Sequence, residues 1–227
     1  MPRVARVICP GLPHHVTQRG NRRGTVFFTS EDRTAYLRWL KDYTSKHAVD
    51  VLAYCLMTNH VHLVVVPATG DSLHRALRPL HMRYAQRINR ARDWSGHLWQ
   101  GRYFASALDA YYAWAAIRYV ERNPVRAGMI DRAEGYAWSS AAAHCGYRSD
   151  PVLTTDTTWR RQCEAVGKWS AWLAGKEDQE SLDLLRCHVN KGLPCGSPSF
   201  VKMLEQSTGR ILRCRPRGRQ RKTYRET

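Results

Sequence analysis

The sequence predicts an α+β fold of ferredoxin-like kind, an antiparallel sheet with helices packed over it. Three observations predict it. The run Leu56-Met57-Thr58-Asn59-His60-Val61-His62-Leu63-Val64-Val65-Val66 is rich in Val and Leu and reads as a strand. Tyr36, Leu37, Leu40 and Tyr43 form an apolar stripe at helical spacing. The order of elements is strand, helix, strand, strand, helix, strand, helix, which suits such a sandwich.

Each element has its own warrant. Residues 12–19 read as the first strand, closed by the loop Gly20-Asn21-Arg22-Arg23-Gly24. Ser30 can cap a helix that begins near Glu31, with Glu31 and Asp32 favourable in its first turn, and that runs to about Lys46. Residues 49–57 are the second strand. Thr58-Asn59 turns the chain into the histidine strand, which Pro67 ends. Asp71 or Ser72 caps a basic helix over 73–90 that carries Arg75, Arg78, Arg83 and Arg87. Residues 96–108 are expected to be extended, with Trp99-Gln100-Gly101-Arg102 at their start. A last helix holds Tyr119 and should stop at about Asn123, because Pro124 disfavours helical geometry at the residue before it.

Residues 131–147, with Tyr136 and Trp138, read as a covering segment. Beyond Asp150 the pattern weakens. Trp159, Trp169, Trp172, Leu173, Leu182, Leu184 and Leu185 point to short helices. Arg210, Arg213, Arg215, Arg217, Arg219, Arg221, Lys222 and Arg225 make a basic end with few apolar residues, expected to be disordered until it meets an anionic partner. The expected organisation is a main domain over 1–147, an accessory helical segment over 148–208 and a basic tail over 209–227 that contacts the anionic partner.

The chemistry begins with His60 and His62. Side chains alternate along a strand, so these two point to one face while Val61 and Leu63 point into the core. Two neutral imidazoles side by side are half of a divalent-metal site. An isolated His-x-His is more often a solvated pair, and a second feature is needed to outweigh that reading. Tyr119 and Asn123 supply it. They stand four apart on one helix and share a face. An amide oxygen completes the ligand set, and a phenol stands beside it as nucleophile.

Composition narrows the partners. The 227 residues carry a formal net charge of +17, and 43% are hydrophobic, with eight tryptophans and eleven tyrosines, which argues for a folded protein. Such an excess of cations attracts polyanions. Arginine forks suit phosphate, and the interleaved aromatics of residues 94–104 suit unpaired bases. A membrane-surface protein would gather its charge on one amphipathic helix or one terminal patch. No stretch is long and apolar enough to span a bilayer and the N-terminus lacks an apolar signal core, so a cytoplasmic, nucleoid-associated protein is expected. The seven cysteines never form a Cys-x-x-Cys pair, which argues against a zinc ribbon and against a disulfide framework.

Four ordered motifs carry a family resemblance. They are His14-His15-Val16-Thr17-Gln18-Arg19-Gly20-Asn21-Arg22, then Ala53-Tyr54-Cys55-Leu56-Met57-Thr58-Asn59-His60-Val61-His62, then Gly96-His97-Leu98-Trp99-Gln100-Gly101-Arg102, and lastly Arg118-Tyr119-Val120-Glu121-Arg122-Asn123-Pro124-Val125-Arg126-Ala127-Gly128. Together they resemble the REP-associated tyrosine transposases of the single-tyrosine HUH transposase superfamily, over residues 12–140. The resemblance implies an HUH endonuclease fold, with His60, His62 and Asn123 as ligands of Mg²⁺ or Mn²⁺ and Tyr119 as nucleophile. It also implies single-stranded or hairpin DNA as substrate, a 5′-phosphotyrosine intermediate, and a monomer in preference to a homodimer. Arg19, Asn21, Arg22, Trp99, Gln100, Arg102 and Arg126 lie in the matching motifs and become candidates for DNA contact. Arg75, Arg78 and Arg83 on the basic helix join them as phosphate contacts. The chain departs from the pattern at His14, where tyrosine is frequent, at Thr58, where proline is common, and in the C-terminal region at Cys195 and Gln220. A hairpin-binding protein without catalysis, a metal-dependent hydrolytic nuclease and a replication-initiator relaxase are the alternatives.

Overall fold

Alternation along the histidine strand sets the two faces of the sheet. In the computed structural model, which describes residues 6–213, four strands pair antiparallel: β1 (His14–Arg19), β2 (Val49–Leu56), β3 (His60–Pro67) and β4 (Phe104–Ala107). Their spatial order is β2-β3-β1-β4, the ferredoxin-like arrangement expected. Val61, Leu63 and Val65 of β3 pack into one core cluster with α1 (Ser30–Lys46) and α2 (Ser72–Arg92). Val64 and the half-buried Val66 pack into the other, with α3 (Ala110–Glu121). His60 and His62 have the same parity as Val64 and therefore share the α3 face.

β2 keeps the same two cores only because of a bulge. Its register against β3 passes from Val51↔Val65 to Ala53↔Val64, leaving Leu52 as the extra residue. Val49 and Val51 before the bulge, and Tyr54 and Leu56 after it, all reach the α1/α2 core, while Ala53 and Cys55 reach the α3 core. Without the inserted residue one half of the strand would turn its apolar set outward.

The rest of the chain builds out the α3 side. After α4 (Asn123–Arg126) and α5 (Ala141–His144) come α6 (Thr157–Ala165), α7 (Trp169–Ala174), α8 (Gln179–Lys191) and α9 (Pro198–Thr208). Trp159, Trp169, Leu173 and Leu185 of these helices enter the same core as Cys55, Val64 and Ile117. All cysteines among the described residues are free thiols. Among those residues no helix is long and apolar enough to cross a membrane.

Four local expectations need correction. Thr29, not Ser30, caps α1: its hydroxyl accepts from Asp32 N at 3.3 Å and Asp32 accepts from Thr29 N at 3.2 Å, a reciprocal box that Ser30 cannot form three residues from Asp32. The extended stretch shrinks to Phe104–Ala107, because the backbone of residues 98–100 bonds to the end of β1 and its loop and adds no strand of its own. The last motif helix ends at Glu121, and Asn123 opens the separate turn α4 with Pro124 in its first positions, where a missing N–H costs nothing. The tail from residue 214 lies outside the described residues. Its first residues, 209–213, are packed: Leu212 is buried with Leu204 and Val7, and Arg213 pairs with Glu205 at 3.1 Å.

Several histidines are core residues, which has a consequence for acid stability. His14 Nδ1 donates to Leu12 O at 2.8 Å while its Nε2 accepts from Cys9 N at 3.1 Å, a pattern that requires the neutral ring. Burial pushes His14 down to about 4, and His15 and His81 to about 3. The unfolded chain protonates near 6.5, so it binds more protons than the folded one between that pH and the depressed values. Stability is therefore full above pH 6.5 and falls as pH drops through the window from 6.5 towards 4 and 3. Each ring costs up to about 1.4 kcal/mol per pH unit there. Urea midpoints measured at pH 7, 6 and 5 should fall steeply, and less steeply in His81→Gln. Equal midpoints across that range would refute the neutral-core assignment.

Candidate active site

β1, β3 and α3 converge on one site. On β1 the register pairs Thr17 with His62 and His15 with Val64, which puts His15 diagonally across from His62 on the α3 face. Their rings stack with centroids 5.1 Å apart, and His15 Nε2 lies 2.9 Å from His62 Nδ1. The His60 and His62 rings stand 4.8 Å apart, nearly perpendicular. Tyr119 comes down from α3 to meet them. Its ring centroid is 5.5 Å from that of His62 and 5.7 Å from that of His15, edge-on to both. Ala113, Ala116, Ile117 and Val120 bury the inner face of α3 and so fix the height and rotation at which Tyr119 emerges, half-buried.

Each motif histidine is oriented through Nδ1. His60 Nδ1 is 2.6 Å from Asn59 Oδ1, and His62 Nδ1 bonds to His15. No hydrogen bond from the described residues reaches either Nε2, so each ring can present a lone pair outward. Burial lowers His60 to about 4, with the nearby Arg19 cation adding to it, and holds His62 well below the ordinary histidine range. Both rings are neutral at physiological pH, the form that ligates metals. Asn123 is 9% exposed and its side-chain nitrogen is buried without a partner. Because the two ends of an amide are interchangeable in assignment, that unpaired end suits an oxygen facing a cation. Among the described residues no cluster of three or more His, Cys, Asp or Glu side chains is placed to hold a metal. A divalent ion here would take two imidazoles and fill its shell from an amide, phosphate oxygens and water, a donor set that fits Mg²⁺ or Mn²⁺.

Two hubs hold Tyr119 in place. Glu121 is fully buried: Oε1 accepts from Ser140 Oγ at 2.5 Å and contacts His144 Nδ1 at 2.6 Å, and Oε2 accepts from Trp169 Nε1 at 2.8 Å. It ties α3 to α5 and α7. Glu177 receives Arg126 at 2.8 Å and Arg122 at 3.3 Å, and the Arg126 guanidinium carbon lies 4.1 Å from the Tyr119 ring centroid.

The predicted DNA-contact residues divide between two places. Arg19 ends β1 opposite His60, and Asn21 and Arg22 follow it in the exposed turn 21–23. Gln100 N donates to Arg19 O at 2.9 Å, and Asn59 Nδ2 donates to Arg23 O at 2.8 Å, so this loop is tethered to the residue that orients His60. Arg126 lies beneath Tyr119. Arg75, Arg78 and Arg83 are on α2, across the sheet from the two histidines, and Arg83 lies over the Trp39 ring at 4.4 Å. Arg78, Gln100 and Arg102 line a cleft of about 780 Å³ on that side. Trp99 is buried at its wall, its Nε1 donating to His81 O at 3.0 Å.

His15, Glu121 and Glu177 were not singled out from the sequence. His15 sits in the opening motif, and only the β1–β3 register connects it to His62. Glu121 carries the mark of a carboxylate on the apolar face of a helix, after Ile117 and Val120, but its partners lie on two later helices.

A fold of this kind, with two strand imidazoles facing a helix-borne tyrosine, defines a single-tyrosine HUH protein, and comparison with known families agrees. The family model for IS200-like transposases matches residues 10–123, and the chain belongs to that family. Among solved structures, a REP-associated tyrosine transposase bound to a REP hairpin is 15% identical, with a TM-score of 0.56 over 69% of this chain and 93% of that one, and shares the fold. A protein from Deinococcus radiodurans R1 described as a transposase is 19% identical over 53% of this chain and 97% of that one, with a TM-score of 0.38. A comparison with curated proteins found no match.

Proposed function

We propose that this transposase cleaves and rejoins single-stranded DNA beside hairpins through a covalent bond to Tyr119. The observation that carries the reading is the packing of the Tyr119 ring against the His15–His62 pair, with both motif histidines neutral and their Nε2 atoms unengaged. The Tyr119 oxygen attacks phosphorus, and its new O–P bond forms as the bond to the 3′ oxygen breaks. A 5′-phosphotyrosine and a free 3′-hydroxyl result. The linkage keeps the energy of the phosphodiester, so a later 3′-hydroxyl can reverse the step without ATP. A Mg²⁺ or Mn²⁺ ion held by His60, His62 and the Asn123 amide oxygen would supply positive charge to the non-bridging oxygens. His15 and Asn59 hold the two imidazoles at the angle this requires.

Arg19, Asn21 and Arg22 then meet the strand next to the site. Arg75, Arg78, Arg83, Gln100, Arg102 and the wall formed by Trp99 receive DNA across the sheet, while Arg126 acts from beneath the tyrosine. The hairpin as substrate is supported by the likeness to a protein whose structure contains a REP hairpin. The protein is proposed to work as a monomer in the cytoplasm, at the nucleoid, with its basic tail on DNA.

The test is a covalent adduct. Labelled single-stranded hairpin DNA and Mn²⁺ should give a band that survives denaturation, and peptide mass spectrometry should place the nucleotide on Tyr119. Chelation by EDTA should erase the band, and His60→Ala or His62→Ala should lower its yield by at least about 100-fold, the scale of losing a charge-stabilising group. DNA cut without any protein-linked product would instead mean attack by water.

A further inference from the structure

We infer that Arg186, on a helix outside the span matched by the family model, is a positioning residue for Tyr119 and neutralises its oxygen as the phenol loses its proton. The inference deepens the proposed strand cleavage and rests on Tyr119 as its nucleophile.

Helix α8 is fastened against α3 before Arg186 is considered. Its N-terminus is capped by Asp178, which accepts from Glu180 N at 3.1 Å and from Ser181 Oγ at 2.5 Å. Tyr111 at the start of α3 reaches both of those side chains, with its hydroxyl 3.3 Å from Asp178 Oδ2 and 3.2 Å from Ser181 Oγ. Leu182, Leu185 and Val189 bury the inner face of α8, and His188 Nδ1 donates to Pro194 O at 2.6 Å near its far end. Arg186 follows the fully buried Leu185, so its stem starts at the boundary between the core and solvent. Asp183, one turn back, holds the guanidinium at 3.0 Å. From there the guanidinium carbon lies 5.8 Å from the Tyr119 ring centroid, near enough for its charge to act on the phenol.

Two guanidinium groups therefore attend one ring, with different duties. Arg126 lies closer, at 4.1 Å, but its N–H groups are committed to the Tyr119 carbonyl and to Glu177, both inside the protein. Its cation fixes the ring. Arg186 is 41% exposed at its side chain and its carboxylate partner Asp183 is 63% exposed, so solvent weakens that ion pair and leaves the guanidinium able to serve the phenol oxygen. A charge-assisted hydrogen bond from a guanidinium is worth most when the oxygen becomes anionic, which is the moment of attack. In that step the phenol proton leaves to solvent water and the oxygen pair forms the O–P bond. The 3′ oxygen departs with the pair of the broken bond and takes a proton from solvent. Arg186 exchanges no atoms; it holds the oxygen in line and offsets its charge.

The experiment uses the full chain with labelled hairpin DNA and Mn²⁺. In single-turnover measurements at saturating DNA, Arg186→Gln should form the adduct about 100-fold more slowly. Hairpin affinity and melting temperature should stay unchanged, and Arg186→Lys should recover part of the rate. A rate loss matched by a loss of hairpin affinity, or no rate loss, would overturn the assignment. A second readout needs no DNA: an aryl sulfonyl fluoride labels phenols whose oxygen is assisted by a neighbouring cation, and the Tyr119 peptide should be labelled more slowly in Arg186→Gln than in the unaltered protein. Equal labelling would also refute it. If the unaltered protein forms no DNA adduct while its labelling still depends on Arg186, the contact stands and the cleavage reading falls.

Discussion

Replacing Tyr119 by Phe is expected to abolish the protein–DNA adduct completely while leaving hairpin binding nearly intact. The substitution removes one oxygen and keeps the ring that packs edge-on against His15 and His62 and face-on against the Arg126 guanidinium. The hydroxyl sits on a half-buried side chain, so its loss should cost the fold no more than about 1 kcal/mol. The arginines proposed to meet DNA are untouched. A gel-shift titration and a denaturing gel on the same samples separate the two effects. Adduct formation that persisted in the Phe variant would place the nucleophile elsewhere. Cleavage that persisted without an adduct would make the protein a hydrolase.

The second large effect belongs to Glu121→Ala. The carboxylate is fully buried and receives Ser140 and His144 from α5 and its cap and Trp169 from α7. Removing it strands His144 and Trp169 in the core and leaves Ser140 Oγ only its bonds to the Tyr54 backbone. The chain should lose about 3–5 kcal/mol of stability, the cost of breaking one side of a buried polar pair. For a chain of this size that lowers the melting temperature by about 10 °C. Glu121→Gln keeps one acceptor oxygen but turns an amide N–H₂ towards a donor, so its loss should be intermediate. Urea unfolding of the three proteins tests the order. Glu121 lies two residues from Tyr119 on α3, and adduct formation in the Ala variant should fall with the folded fraction. A loss below about 1 kcal/mol would mean the hub is not what holds α5 and α7 to α3.

Much of the site was legible without coordinates because strand and helix periodicities are local. His60 and His62 share a face through alternation alone. Tyr119 stands on the helix ahead of Pro124 for the same local reason, although that helix ends two residues early and Asn123 opens the next turn. The α1 stripe and the strand breaks at Gly20 and Pro67 are equally local. The cap of α1 differs from the expected Ser30 by one position because Thr29 and Ser30 are both good caps, and only the bond to Asp32 separates them.

What escaped the sequence shares one cause: it depends on residues far apart along the chain. Register between β1 and β3 brings His15 to His62 across 47 positions, and no spacing rule could pair them. The bulge at Leu52 is needed to keep β2 in phase with two cores, and phase exists only once a partner strand is present. Glu177, through Arg126, and Arg186 act on the tyrosine from a segment whose weak pattern promised only accessory helices. The sequence by itself thus determined the elements, the imidazole pair, the phenol and the cationic character, since each follows from composition or from one period. The tertiary structure alone decided which side chains orient that pair, which carboxylates anchor the tyrosine helix, and which arginines lie on the tyrosine's side of the sheet. Those depend on packing and strand register, which bring together groups that no local period relates.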